Sequence, residues 1–190
     1  TGRRIAAAMK RAVLRGVAVR VVHDGFGSAG FLGNLGETMR QDGVEVAVFR
    51  PETWWNTFRR SRLRRLHRKL AMIDGRVAFV GGINLIDDLN MPEPRQPRFD
   101  YAVRVEGPLL EPIHAAMCEL WARLHQHGIE RLRAVMTAFP ANTQAAGDHH
   151  AWFAFRDNVS RRRDIEREYL AAILAAKQDI LIANAYFFPG

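Results

Sequence analysis

The pair Asp74-Gly75, set between the stretches Leu66 to Ile73 and Arg76 to Val80, commits the middle of the chain to a β-hairpin. Asp-Gly suits the positive φ angles of a two-residue type I′ turn, whose twist matches that of the strands it joins. Around this hairpin the hydrophobic period switches repeatedly. Residues 3–15 place Ile5, Ala8, Met9 and Ala12 on one helical face ahead of a stop at Gly16. Val17, Val19 and Val21 then alternate as a strand ending at His23-Asp24-Gly25, and a helix over about 30–41 leads to a strand from Val44 to Phe49. Residues 101–105 read as a further strand. Pro112 opens a helix carrying Ile113, Ala116, Met117, Leu120, Trp121 and Leu124, with Gly128 expected to end it. Helices alternating with strands predict an α/β fold with a mixed β-sheet flanked by helices on both faces.

The sequence loosens between 139 and 150, where Pro140, Asn142, Gly147 and Asp148 mark a surface connection. Beyond it, 164–177 has helical spacing at Ile165, Tyr169, Ala172 and Ile173, and 180–184 reads as an apolar strand. The chain therefore divides into a unit over 1–138, a connection over 139–150 and the beginning of another unit over 151–190.

A chain of 190 residues with 48% hydrophobic and 25% charged residues affords a core and lacks the polar bias of disorder. Its net charge of +8 favours acidic partners, namely phospholipid headgroups, nucleic acid or phosphorylated metabolites, without choosing among them. The single Cys118 has no partner for an internal disulfide and reads as buried packing. No run approaches the roughly 20 apolar residues that span a bilayer, so membrane contact by this chain would be peripheral.

The chemistry concentrates on the hairpin. His67, Lys69 and Asp74 fit the pattern H-x-K-x4-D. Positions two apart on a strand share a face, so an imidazole and an ammonium there can address one phosphate. The imidazole can attack phosphorus or move a proton near neutral pH, and the ammonium can neutralise charge growing on phosphate oxygens. Alone, such a triplet is more often a solvated basic strand. Gly81-Gly82-Ile83-Asn84 follows the return strand, however. Its glycines permit close backbone approach, and the Asn84 amide can donate to a phosphate oxygen.

The run from His67 through Asp74 and Gly82-Ile83-Asn84 to Asp87-Asp88 closely resembles the signature of the phospholipase D superfamily. Four further segments, 24–28, 66–69, 101–108 and 183–190, make the likeness strongest to the bacterial cardiolipin synthases of the B type, over nearly the whole chain. The resemblance implies a phosphatidyltransferase working through a phosphohistidine intermediate, with a second histidine protonating the departing alcohol. It implies His67 as nucleophile or proton-transfer partner, Lys69 and Asn84 on the phosphate, and Asp74 as a supporting carboxylate. Asp100 matches the position of a carboxylate that orients the histidine, and Gly82 lies against the phosphate site. No metal or organic cofactor is implied. The expected partners are phosphatidylglycerol with a second phospholipid or alcohol, at the cytoplasmic side of a bacterial cell membrane, and not nucleic acid.

Enzymes of this family close their site from two H-x-K-x4-D elements, whereas these 190 residues hold one. Either a second homologous half or a dimer mate is expected to supply the other. A phospholipase D-type nuclease and a non-catalytic anionic-lipid-binding module are the alternatives. Trp54, Trp55 and Phe58 beside the arginines at 59, 60, 62, 64 and 65 suit either anionic headgroups or nucleic-acid backbones. Arg161-Arg162-Arg163 reads as a surface cluster at a helix start, and Arg156-Asp157-Asn158 as a cleft-lining or loop-bonding segment. His114, His125, His127, His149 and His150 lack convergent ligand spacing, so no metal is assigned to them.

Overall fold

The computed structural model of the protein describes residues 2–25, 35–51, 65–84, 100–125, 128–156 and 161–183. The chain separates into two compact units, Thr1–His150 and Ala151–Gly190.

In the first unit, helix α1 (Gly2–Leu14) ends where the amides of Gly16 and Val17 donate to the carbonyls of Val13 and Ala12, satisfying carbonyls that the helix leaves open. Strand β1 (Arg20–Asp24), helix α2 (Leu35–Gln41) and strand β2 (Glu45–Phe49) follow. β1 begins three residues later than the valine alternation suggests. Val17 is 40% exposed, and the parallel ladder with β2 is joined only from Val19, whose carbonyl accepts the Glu45 amide. A parallel β–α–β order agrees with the α/β expectation.

The hairpin forms as β3 (Lys69–Ile73) and β4 (Val77–Gly81), with Asp74 at φ 52° and Gly75 at φ 64°. Both values suit the type I′ turn. Strand β5 (Ala102–Val105) adds antiparallel to β4. Parallel and antiparallel pairing thus both occur, as expected of a mixed fold, but among the described residues they lie in separate sheets, β1-β2 and β3-β4-β5.

Helix α3 (Leu110–Leu124) touches both β2 and β4 and so joins the two sheets. Its Leu110 and Ile113 are wholly buried, as is Ala78 in the middle of β4, where a small side chain lets a helix approach the sheet closely. The β1-β2 pair is tied to the same core through Arg20. Arg20 pairs with its register partner Glu45 at 3.1 Å, and its guanidinium lies over the rings of Phe139 and Trp121 at 4.6 and 5.9 Å.

Gly128 does not terminate α3, which ends at Leu124; it opens another helix, α4 (Gly128–Ala138), packed on α3. The stop comes earlier because His125 turns back and its Nδ1 donates to the Trp121 carbonyl at 2.9 Å, occupying an acceptor of the last turn. In the second unit, helix α5 (Asp164–Ala175) has no buried residue. The apolar run after it is not a strand over 180–183. Leu181 is 94% exposed, and no neighbour among the described residues pairs with it in a sheet.

Candidate active site

The antiparallel register brings the sequence-predicted residues to one end of the β3-β4-β5 sheet. Lys69 opposes Gly81, and Gly81 opposes Ala102, so the segments just outside these strands gather at the same edge. Those segments carry His67, Gly82, Asn84 and Asp100. The Gly82 amide donates to the Tyr101 carbonyl at 2.8 Å, and a Cβ at Gly82 would lie 3.2 Å from Asp100 Oδ1. Glycine here lets the backbone pass tightly under the carboxylate. His67, Asn84 and Asp100 are exposed, whereas Lys69 is half-buried.

β3 starts at Lys69 rather than at Leu66, so His67 lies two residues before the strand and the two-residue strand spacing does not by itself set its direction. Side chains hold it instead. Lys69 Nζ donates to the His67 carbonyl oxygen at 3.0 Å, folding the ammonium back over that residue. On the other side, the Leu66 amide donates to Asp24 Oδ2 at 2.7 Å, and Arg65 Nη1 stands 3.8 Å from Asp24 Oδ1. Leu66 and Asp24 are 42 positions apart. Through this bond the His67 segment crosses the carboxyl end of the parallel β1-β2 pair, where open α/β sheets place their ligands. Asp24 and Arg65 meet the His67 segment although the H-x-K-x4-D pattern contains neither. The signal was an acidic residue closing a parallel strand.

Electrostatically, burial pushes the Lys69 ammonium below its ordinary value of 10.5, and the negative Asp100 nearby pulls it part of the way back. An ammonium used once by a backbone carbonyl still has donors for a phosphate oxygen.

Asp74 stands apart. It sits in the exposed turn at the far end of the hairpin, five residues from Lys69 or about 17 Å at strand rise, so it is not gathered with the others. No group of three or more His, Cys, Asp or Glu that could hold a metal occurs among the described residues. The Trp54, Trp55 and Phe58 stretch with its arginines up to position 64, together with Asp87-Asp88, His127, Asp157-Asn158, 26–28 and 184–190, lies outside the described residues. In the second unit, Arg161 lies over the Phe155 ring at 4.3 Å, while Arg156, Arg162, Arg163 and Arg167 line a cleft with Asp164 and Glu166 at the start of α5.

Lys69 of the H-x-K-x4-D hairpin, Gly82 after its return strand and the Asp100 carboxylate thus meet at one sheet edge. Residues 1–93, just under half of the chain, match the family model described as cardiolipin synthase, PLD-like domain. Over its whole length it is 36% identical to Cardiolipin synthase B of Salmonella typhi and 32% identical to Cardiolipin synthase B of Escherichia coli (strain K12), spanning 45% of each. Cardiolipin synthase A of Pseudomonas fluorescens (strain SBW25) is 34% identical over 63% of this chain and 25% of its own length. The chain thus spans less than half the length of these relatives. No solved structure matches it.

Proposed function

We propose that this chain supplies one half-site of a phosphatidyltransferase of the cardiolipin synthase kind. The observation that carries this reading is the convergence of Lys69, Gly82 and Asp100 beside an exposed His67, in a chain similar throughout to Cardiolipin synthase B. Residues 1–138 form the first half, 139–150 the connection and 151–190 the opening of a second, homologous half.

In the proposed reaction an imidazole nitrogen attacks the phosphorus of a phospholipid, and the bond from phosphorus to the headgroup oxygen breaks. A second histidine protonates that oxygen, and the phosphatidyl group stays on the first imidazole. The glycerol hydroxyl of phosphatidylglycerol then attacks phosphorus, gives up its proton and frees the histidine, making cardiolipin; water in its place gives phosphatidate. His67 is one of the two histidines. Lys69 and Asn84 stabilise the five-coordinate phosphorus as charge grows on its oxygens, and Asp100 orients the imidazole. Asp74, at the turn, braces the hairpin and does not meet substrate. The second histidine comes from a homologous half or from a second copy. The substrates are met at a phospholipid surface on the cytoplasmic side of the membrane. No helix among the described residues is long and apolar enough to cross a bilayer.

The test uses the full gene product with labelled phosphatidylglycerol and, separately, single-stranded DNA. Labelled cardiolipin should form, and His67→Ala should lower turnover by roughly 10²- to 10⁴-fold or more, the range for losing an acid–base or nucleophilic imidazole. DNA cleavage without lipid turnover would overturn the proposal in favour of a nuclease. The 190-residue chain alone should turn over weakly, for want of the second histidine.

A further inference from the structure

Residues 65–68 lie outside regular structure, so no sheet ladder fixes the backbone that presents His67. Two charged side chains take the ladder's place. The Lys69 ammonium holds the His67 carbonyl at 3.0 Å, and the Asp24 carboxylate holds the Leu66 amide at 2.7 Å. A hydrogen bond to an ionised group is shorter and about twice as strong as a neutral one, so each is suited to replace a lost ladder bond.

Asp24 is itself firmly placed. It closes β1 opposite Phe49 of β2, the next amide, Gly25, donates to the Phe49 carbonyl at 2.9 Å, and His23 Nδ1 donates to the Asp24 carbonyl at 3.1 Å. Its side chain is 14% exposed, with Arg65 Nη1 at 3.8 Å from Oδ1 and the Leu66 amide at Oδ2. The two oxygens thus address two successive residues of the incoming segment.

We propose that Asp24 is a positioning residue of the phosphoryl-transfer site, whose carboxylate, through the Leu66 amide, fixes the backbone from which the His67 imidazole is presented. The inference rests on reading His67 as a reacting residue. It adds a tie between the parallel sheet and the hairpin that the H-x-K-x4-D pattern does not contain. Asp24 touches no substrate in this scheme. Its effect appears in the chemical step, because a misplacement of about 1 Å at a reacting group can cost on the order of 10²-fold.

The experiment compares Asp24→Ala, Asp24→Asn, Asp24→Glu and His67→Ala in the full gene product, reading kcat and KM on phosphatidylglycerol vesicles together with the His67 ring resonances. Asp24→Ala should lower kcat by about 10- to 100-fold with KM within about threefold, and should shift the His67 signals. Asp24→Asn keeps an oxygen acceptor for the Leu66 amide and should recover most of kcat. Asp24→Glu keeps the charge but moves the acceptor by one methylene, and should lower kcat at least about fivefold. That variant decides the matter if Asp24→Ala does not fold. Parental kcat in folded Asp24→Ala or in Asp24→Glu overturns the inference, as does an Asp24→Asn protein as impaired as Asp24→Ala, which would move the effect to the Arg65 charge pair. If His67→Ala retains parental turnover, it is the proposed function that fails.

Discussion

In the proposed reaction Lys69 is the ammonium that meets the phosphate, and its surroundings pull it in two directions. Burial disfavours the ammonium and outweighs the opposing pull of Asp100, so the amine loses its proton below the ordinary 10.5. In the folded chain the proton leaves first, and the unfolded chain holds more protons in the window from that lowered value up to 10.5. Stability therefore gains across that window as the penalty for a buried charge is relieved. Activity moves the opposite way, since a neutral amine cannot stabilise charge on phosphate oxygens. The alkaline limb of kcat/KM, which reports the free enzyme, should fall below 10.5. Asp100→Asn removes the influence that raises Lys69 and should move this limb to still lower pH. Lys69→Arg, always charged, should abolish the limb at a lower plateau. A limb unmoved by Asp100→Asn would separate Asp100 from Lys69.

At the level of elements, the β3-β4 turn shows how local sequence chemistry meets tertiary packing. Gly75 stands at φ 64°, a Cβ there would run into the Pro140 carbonyl, and the Gly75 carbonyl accepts the Asn142 amide at 2.7 Å. Gly75→Ala should cost about 2–3 kcal/mol in urea unfolding, from left-handed backbone strain together with the displaced 140–142 segment. A cost under about 0.5 kcal/mol would show that the connection does not press on the turn. Helix α3 offers a second case. His114 and Cys118, one turn apart and buried, meet at 3.2 Å between Nε2 and Sγ; burial pushes the imidazole below 6.5 and the thiol above 9.0. The folded chain resists protonating His114, so stability should fall as pH drops through 6.5. His114→Leu should flatten that part of a pH series of unfolding midpoints. The turn was legible in the sequence because Asp-Gly chemistry is local, and α3 because its apolar period is long. The start of β3, the end of α3 and the tie between Asp24 and Leu66 were not. Each depends on a bond to a distant residue or a side chain turned back on the backbone: Leu66 to Asp24, Lys69 to His67, His125 to Trp121.

Across the whole molecule, burial is distributed unevenly. Met39, Val44, Ala78, Leu110, Ile113 and Trp121 are buried within the unit Thr1–His150. In Ala151–Gly190, by contrast, helix α5 buries nothing, and Tyr169, Leu170 and Leu174 are more than half exposed. A helix of 12 residues gains little from propensity alone and depends on packing of its apolar face. The periodicity over 164–177 matches the helix as far as Ala175, yet the same pattern could not reveal that its apolar face lacks cover among the described residues. Local opening should cost least here, since few apolar contacts resist it. Limited proteolysis of the 190-residue chain should first cut within 151–183, leaving a fragment near residues 1–150 that retains its β-hairpin and α3 and resists further digestion. The cut should also precede any loss of the near-ultraviolet signal of Trp121, which is 4% exposed in the first unit's core. Initial cleavage between β3 and β4, or simultaneous loss of both units, would instead mean that the two open together.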